Sequence, residues 1–275
     1  MSDKTDKLII SKMSLVVTTR CNLKCRLCDE FIPGHKPLPD MTPREARRVF
    51  DALFSVVDYV DLLHLSGGGE PFLNPHLAGL TDIAFEYSDY FNNLMVFTNS
   101  TIPVSKELLD ALKRYKNRII VHASNYGIAP ERSTELYKTL RDEGINLRVI
   151  KYYGEDQDYG GWVDFGEWEP RGRMPEELER TFKNCGITRI MKGNWRTRDG
   201  TVHWCQRSQR GMELGIIPDY PDDYVDLLGA ESRREKRLKF HEIANKRYLS
   251  VCDRCSGDHG SDDASKRFPA GEQIK

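Results

Sequence analysis

The sequence predicts an α/β fold, a partial (open) parallel βα barrel followed by a small α+β unit. Three observations carry that expectation. Strand-like and helix-like stretches alternate over the first 150 residues, the loops rich in Gly or Cys follow strands, and after residue 153 the rhythm gives way to GEDQDYGGWVDFGEWEPRGR. Strands alternating with helices imply parallel pairing through right-handed crossovers, and chemistry in such barrels gathers at the C-terminal strand ends.

The elements follow in order. Ser14 to Thr18 is a short β-branched run that opens into a cysteine loop. Thr42 suits an N-cap with Pro43 at the first helical position, and Ala46, Val49, Phe50, Leu53 and Val57 recur at helical spacing. Val60 to Leu65 is a second strand, ended by Gly67, Gly68 and Gly69, and Leu77 to Tyr87 the next helix. Leu94 to Thr98 and Arg118 to Ala123 are strands separated by a helix from Ser105; a helix over 131–143 ends at Gly144, and Leu147 to Tyr152 is a fifth strand. A boundary is placed near Gly166, giving units 1–166 and 167–257 and a loose polar tail 258–275. In the second unit Ile187 to Lys192 and Thr201 to Cys205 can pair around Arg198-Asp199-Gly200, and 231–247 is helical.

Composition excludes several classes. With 275 residues there is room for one large domain and an appendage, and 41 basic against 42 acidic side chains leave a net charge of −1. That balance steers the chain toward neither nucleic acid nor acidic lipid, and no apolar run reaches the roughly 20 residues of a membrane span. The start, MSDKTDKLIISKM, lacks the apolar core of a secretory signal, so a cytoplasmic location is expected. Seven cysteines, an odd number in a reducing compartment, do not suggest a disulfide framework.

Their positions divide three plus four. Cys21, Cys25 and Cys28 form Cys-x3-Cys-x2-Cys in a loop launched from a strand. Three thiolates so placed can hold three corners of an iron-sulfur cubane and leave one iron open. A closed zinc site wants a fourth ligand, for which His35 is the nearby candidate.

TTRCNLKCRLCDE resembles the signature of the radical S-adenosylmethionine (SAM) enzymes. The resemblance implies that the open iron chelates the amino and carboxylate groups of SAM, that one electron breaks its carbon-sulfur bond, and that a 5'-deoxyadenosyl radical abstracts a substrate hydrogen. Leu27 stands where the family commonly has an aromatic residue, which weakens a stacking contact to adenine and not the iron ligation. Gly68-Gly69-Glu70-Pro71 matches the family's GGEP motif at the end of the second strand. Its glycines let backbone approach a ligand, and Glu70 can accept from the SAM ammonium. Asn99 and Ser124, at the ends of strands three and four, sit where such enzymes contact ribose and carboxylate; both can equally be loop caps.

Cys185, Cys205, Cys252 and Cys255, with 19, 46 and two residues between them, can close a complete coordination shell. The arrangement resembles the twitch unit, a shortened relative of the SPASM domain that holds an auxiliary 4Fe-4S cluster, although a zinc site made of four cysteines has similar spacing. The plan is similar to that of the 2-deoxy-scyllo-inosamine dehydrogenases, aminocyclitol-oxidising members of the family. Three plus four leaves no spare thiol to quench a substrate radical, which disfavours a carbohydrate epimerase. The expectation is therefore two 4Fe-4S clusters, SAM, and oxidation of a secondary alcohol in a sugar or aminocyclitol, the auxiliary cluster accepting the second electron. A small polyol substrate and a flavodoxin- or ferredoxin-like electron donor are the expected partners. Arg148, Lys151 and Tyr126 are candidates for handling the alcohol proton. A peptide maturase and a non-catalytic iron-sulfur or zinc protein remain alternatives; the stretch before Ser14 is short for a peptide-recognition domain. His64 suits a core histidine, Tyr152, Tyr153, Tyr159, Trp162 and Trp168 either sugar stacking or interdomain packing, and Arg233, Arg234, Lys236, Arg237 and Lys239 a solvated helix face.

Overall fold

Alternation within the strands decides how the sheet is covered. The computed structural model describes residues 7–66, 68–158, 162–258 and 268–274. Strands β1 (Ile9–Val16), β2 (Tyr59–Ser66), β3 (Phe91–Thr98), β4 (Ile119–Asn125) and β5 (Asn146–Lys151) pair in parallel in sequential order. They are separated by α1 (Pro43–Val56), α2 (Leu77–Glu86), α3 (Lys106–Arg114) and α4 (Pro130–Asp142). One face carries Met13, Leu15, Leu63, Leu65, Leu94, Val96, Val121 and Ala123, which join Val49, Phe50, Leu80, Leu108 and Leu140 of the helices in one buried core. Burying each of these side chains larger than alanine contributes about 1.5–3 kcal/mol. The opposite parity, Ser14, His64, His122, Ser124 and Arg148, is polar and lies on the other face.

The helix starts follow their chemistry. Thr42 caps α1 in a reciprocal box with Glu45, with Pro43 in the first turn, and Ser105 accepts from Leu108 N to cap α3. Gly144 takes φ +71° just beyond α4, where a side chain would be strained.

The second unit departs from expectation in its first half. Ile187 lies in the short helix α6 (Gly186–Arg189), which follows α5 (Pro175–Asn184), and not in a strand. The amides of Thr188 and Arg189 donate to the carbonyl of Cys185, so the chain coils there before Gly193, at φ +91°, redirects it. The hairpin forms around Arg198-Asp199-Gly200 as expected, with β6 (Trp195–Thr197) as its first arm and β7 (Thr201–His203) as its second. β8 (Tyr224–Asp226) then pairs antiparallel with β7. β6 pairs parallel with β1 through Met13↔Trp195, so the sheet order is β5-β4-β3-β2-β1-β6-β7-β8. Five strands are legible in the barrel sequence; a sixth parallel strand comes from beyond residue 166 and flanks β1.

α7 (Gln206–Glu213) is a buried polar helix between sheet and loops, and α8 (Arg233–Ala244) starts at a Ser232 capping box. The cations of α8 are not a uniformly solvated face: Lys236 is buried and donates to the carbonyls of Leu227 and Gly229, while Arg233 and Arg237 pair with Asp58 at the foot of β2. Residues 268–274 return to the front of the barrel, a pairing that the polar composition of the tail does not announce. Among the described residues no helix is long and apolar enough to cross a membrane.

Candidate functional site

The front cysteines ride on the loop between β1 and α1. That loop is zipped to the segment after β2: Gly69 N donates to Thr18 O at 3.0 Å and Glu70 N to Arg20 O at 2.8 Å. A Cβ on Gly69 would stand 1.9 Å from Arg20 O, so the close approach requires glycine there. Thr18 and Arg20 both bond Asp40, and Asn74 Nδ2 donates to the carbonyls of Val17 and Met41, closing the loop's base. Gly68 packs beside Thr19 and Glu30, and Pro71 opens a single 3-10 turn, Pro71–Leu73.

Glu70, expected to accept from the SAM ammonium, already has partners of its own. It is 1% exposed, and its two oxygens accept from Phe72 N at 3.0 Å and Asn99 N at 2.5 Å. Burial pushes its carboxyl up to about 7, against the pull of those amides. Glu70 thus ties the Gly-Gly loop to the end of β3. Asn99 Nδ2 donates to Asn22 Oδ1 at 3.0 Å and to Cys21 Sγ at 3.8 Å, while its Oδ1 accepts from Thr101 N. Leu27 is half-buried between two of the cysteines.

The three front thiols are all pushed up by burial, Cys25 to about 11. Their sulfurs accept from N–H groups, among them Leu23 N at 3.4 Å and Asn99 Nδ2 on Cys21, and Gln273 Nε2 at 3.3 Å on Cys25. Sulfurs that accept from N–H groups in a desolvated loop suit metal-bound thiolates, which a cluster would hold deprotonated.

The rear cysteines come together from three separate places in the second unit. Cys185 ends α5, Cys205 caps α7, Cys252 lies within the 3-10 turn Ser250–Arg254 and Cys255 ends it; all four line one pocket with Phe165, Phe182, Trp204, Leu249 and Val251. Gly257 N donates to Cys255 Sγ at 3.3 Å and Asp258 N to Cys185 Sγ at 3.4 Å. Burial raises all four thiols, Cys185 to about 11 and Cys205 to about 12. Arg173 braces the ring by donating to the carbonyls of Cys252 and Cys255. Among the described residues no three His, Cys, Asp or Glu side chains converge to hold a single ion, His35 included.

Sequence reasoning missed the joint between the two sites. Glu30, two residues after Cys28, forms a bidentate pair with Arg196 of β6 at 2.5 and 2.6 Å, and Arg196 Nε donates to Gln209 Oε1 at 2.6 Å. Arg210 of α7 donates to the Glu30 carbonyl. Phe31 packs edge-on to Trp168 at 4.6 Å, and Arg207 lies 3.6 Å above the Trp168 ring while donating to the carbonyls of Gly166, Glu167 and Arg254. Trp168 therefore packs between front loop and rear unit. The acidic pair closing the cysteine motif was the visible signal; its partner lay 166 residues away.

The proton-handling candidates separate. Arg148 is exposed on the polar face, opposite His122 in register, whereas Lys151, three residues on, has the opposite parity and forms an ion pair with Asp156 over the Tyr153 ring. Two side chains three apart on a strand cannot share a face. Tyr126, just past β4, stacks on Tyr152 at 5.3 Å with Trp162 edge-on at 5.5 Å, and bonds the Ser124 side chain. Burial drives its phenol well above the usual value. His64 is buried, its Nδ1 3.0 Å from Ser14 Oγ and its ring against Phe97. Gly67 and Tyr159 lie outside the described residues.

Comparison with known proteins adds the family. Residues 15–158 match the Radical SAM superfamily. Two solved structures share the fold over nearly the whole length: BtrN in complex with AdoMet and 2-DOIA, 16% identical, TM-score 0.56, covering 98% of each chain, and native anSMEcpe with bound AdoMet, 13% identical, TM-score 0.54, covering 95% of this chain and 94% of that one. The match to Streptococcus suis SuiB bound to S-adenosylmethionine, 19% identical at TM-score 0.45, takes in 55% of this chain and 36% of that one. No curated protein matches the chain. With more than half its length matched, and with Cys21, Cys25 and Cys28 borne on the loop after β1, the chain belongs to the Radical SAM superfamily.

Proposed function

We propose that this chain is a radical SAM oxidoreductase that oxidises a secondary alcohol of a sugar- or aminocyclitol-like polyol. The family implies a 4Fe-4S cluster and SAM, and Cys21, Cys25 and Cys28 are the residues to hold them. When bound, that pair supplies one-electron cleavage of SAM and hydrogen-atom abstraction from substrate. The observation that carries the oxidative reading is the second ring of thiols. Cys185, Cys205, Cys252 and Cys255 line one apolar pocket, four thiols at one site that could ligate a cluster able to accept the second electron. Arg196 and Trp168 fasten the front loop to that unit. The 2-DOIA held by BtrN, a structure alike over 98% of each chain, supports a small polyol as substrate.

The chain's own residues refine the expected roles. A guanidinium does not give up its proton in proteins, so Arg148 serves by holding a substrate oxygen and favouring the anionic form, not as the base. His122, its neighbour in register, is lowered to about 4 by burial and by Arg148, so it is neutral at pH 7 and, with Nδ1 unpaired among the described residues, is the group to take up the alcohol proton and pass it to solvent. Tyr126, raised by burial, also keeps its proton and suits a hydrogen-bond donor. Lys151, turned to the other face in its ion pair, is placed apart from them. No cysteine remains outside the two groups to return a hydrogen atom, which favours oxidation over epimerisation. Anaerobic turnover with carbon-deuterated polyols tests the reading: label should enter 5'-deoxyadenosine and the product should gain a carbonyl. Deoxyadenosine without either change in any polyol tried would reject this substrate class.

A further inference from the structure

The far end of the chain reaches the front cysteines. Arg26 N donates to Glu272 O at 2.7 Å and Ile274 N to Lys24 O at 2.8 Å, forming an antiparallel bridge between Cys25 and Gln273. The segment is anchored upstream, where Phe268 N donates to Trp162 O at 3.1 Å and Gly271 lies on Tyr126. Gly271 has φ +67°, and a Cβ there would meet the Tyr126 ring at 2.8 Å, so both its conformation and its contact call for glycine.

The side-chain amide of Gln273 is fixed by its partners. Its Oε1 accepts from Lys24 N at 2.7 Å, and its Nε2 donates to Gly271 O at 2.6 Å and to Cys25 Sγ at 3.3 Å. A backbone N–H can only donate and a backbone carbonyl can only accept, so the amide cannot be turned round, and an N–H is aimed at the sulfur.

We propose that Gln273 is a positioning residue for the front cluster, whose hydrogen bond to Cys25 Sγ raises that cluster's reduction potential while the 268–274 segment covers the cysteine loop. This rests on the reading of Cys25 as an iron ligand. A donor at a ligand sulfur stabilises the more negative, reduced cluster more than the oxidised one, and hydrogen bonds to sulfur and solvent exposure are among the levers on such potentials. Reduction is thereby eased for an external donor.

The test is an EPR-monitored redox titration of the full chain, following the signal that changes when SAM is added. Gln273→Leu should shift the midpoint to more negative potential. Gln273→Glu, which keeps an acceptor for Lys24 N but puts negative charge by the sulfur, should shift it further the same way and serves alone if the leucine variant loads no cluster. Glu272→Gln, which removes only the exposed pair with Arg26, should leave the midpoint unchanged. Removal of iron by a chelator should become several-fold faster in Gln273→Leu than in wild type. An unshifted midpoint in whichever Gln273 variants load a cluster, with a SAM-responsive cluster in wild type, overturns the inference and leaves the proposed function standing. A wild-type protein with no such cluster defeats both.

Discussion

Gly69 and Arg196 show how single residues decide the site. With Arg20 O 1.9 Å from the position of a Cβ on Gly69, Gly69→Ala must displace backbone, and the cysteine loop is that backbone. The variant should lose about 1–3 kcal/mol of stability by denaturant unfolding, together with most of its iron. Arg196, 2% exposed, sits against Glu30 in a pair whose halves cannot be removed singly without stranding a charge. Arg196→Met should cost about 3–5 kcal/mol, and Glu30→Gln in the Met background should recover part of it; simple additivity would contradict a coupled pair. His64 gives a pH dependence. Its folded value is lowered from 6.5 to about 3 by burial, so the unfolded chain binds the extra proton between those values, and the stability tied to neutral His64 is lost as pH falls through that window. The stability difference between wild type and His64→Leu should therefore change with pH between about 6.5 and 3 and stay flat above about 7. A difference that stays constant throughout would show His64 is not held neutral.

At the scale of elements, the barrel half was legible because its helices and strands carry their own signals. Thr42-Pro43 announced the start of α1, and the glycine run from Gly67 to Gly69 announced the end of β2. Thr42→Ala should lower stability by about 1 kcal/mol and leave iron content unchanged. The rear half was less legible. α7 buries Gln206, Arg207, Gln209 and Arg210 with no apolar stripe, because each cation finds a carbonyl or carboxylate, and periodicity cannot report such a helix. The Ile187 stretch looked suited to a strand but coils after Cys185, whose carbonyl accepts from the amides of Thr188 and Arg189. Cysteine spacing located both thiol groups; it gave no hint of Gln273, whose contact with Cys25 is made across 248 residues.

For the whole molecule, continuity of the sheet from β5 to β8 means that the thiol groups belong to one framework and not to two tethered units. The Glu30–Arg196 pair and the Phe31–Trp168 contact join them at the loop that carries the front cysteines. Substituting Cys255→Ala should halve the iron, from about eight to about four atoms per chain, while SAM cleavage survives and substrate oxidation fails. The most direct test of the account is low-temperature EPR of the anaerobically reconstituted, reduced protein before and after addition of SAM. The account predicts two cubane signals, one of which shifts with SAM and disappears when Cys21, Cys25 and Cys28 are replaced by alanine. A spectrum with no cubane, or with none that responds to SAM, would contradict it.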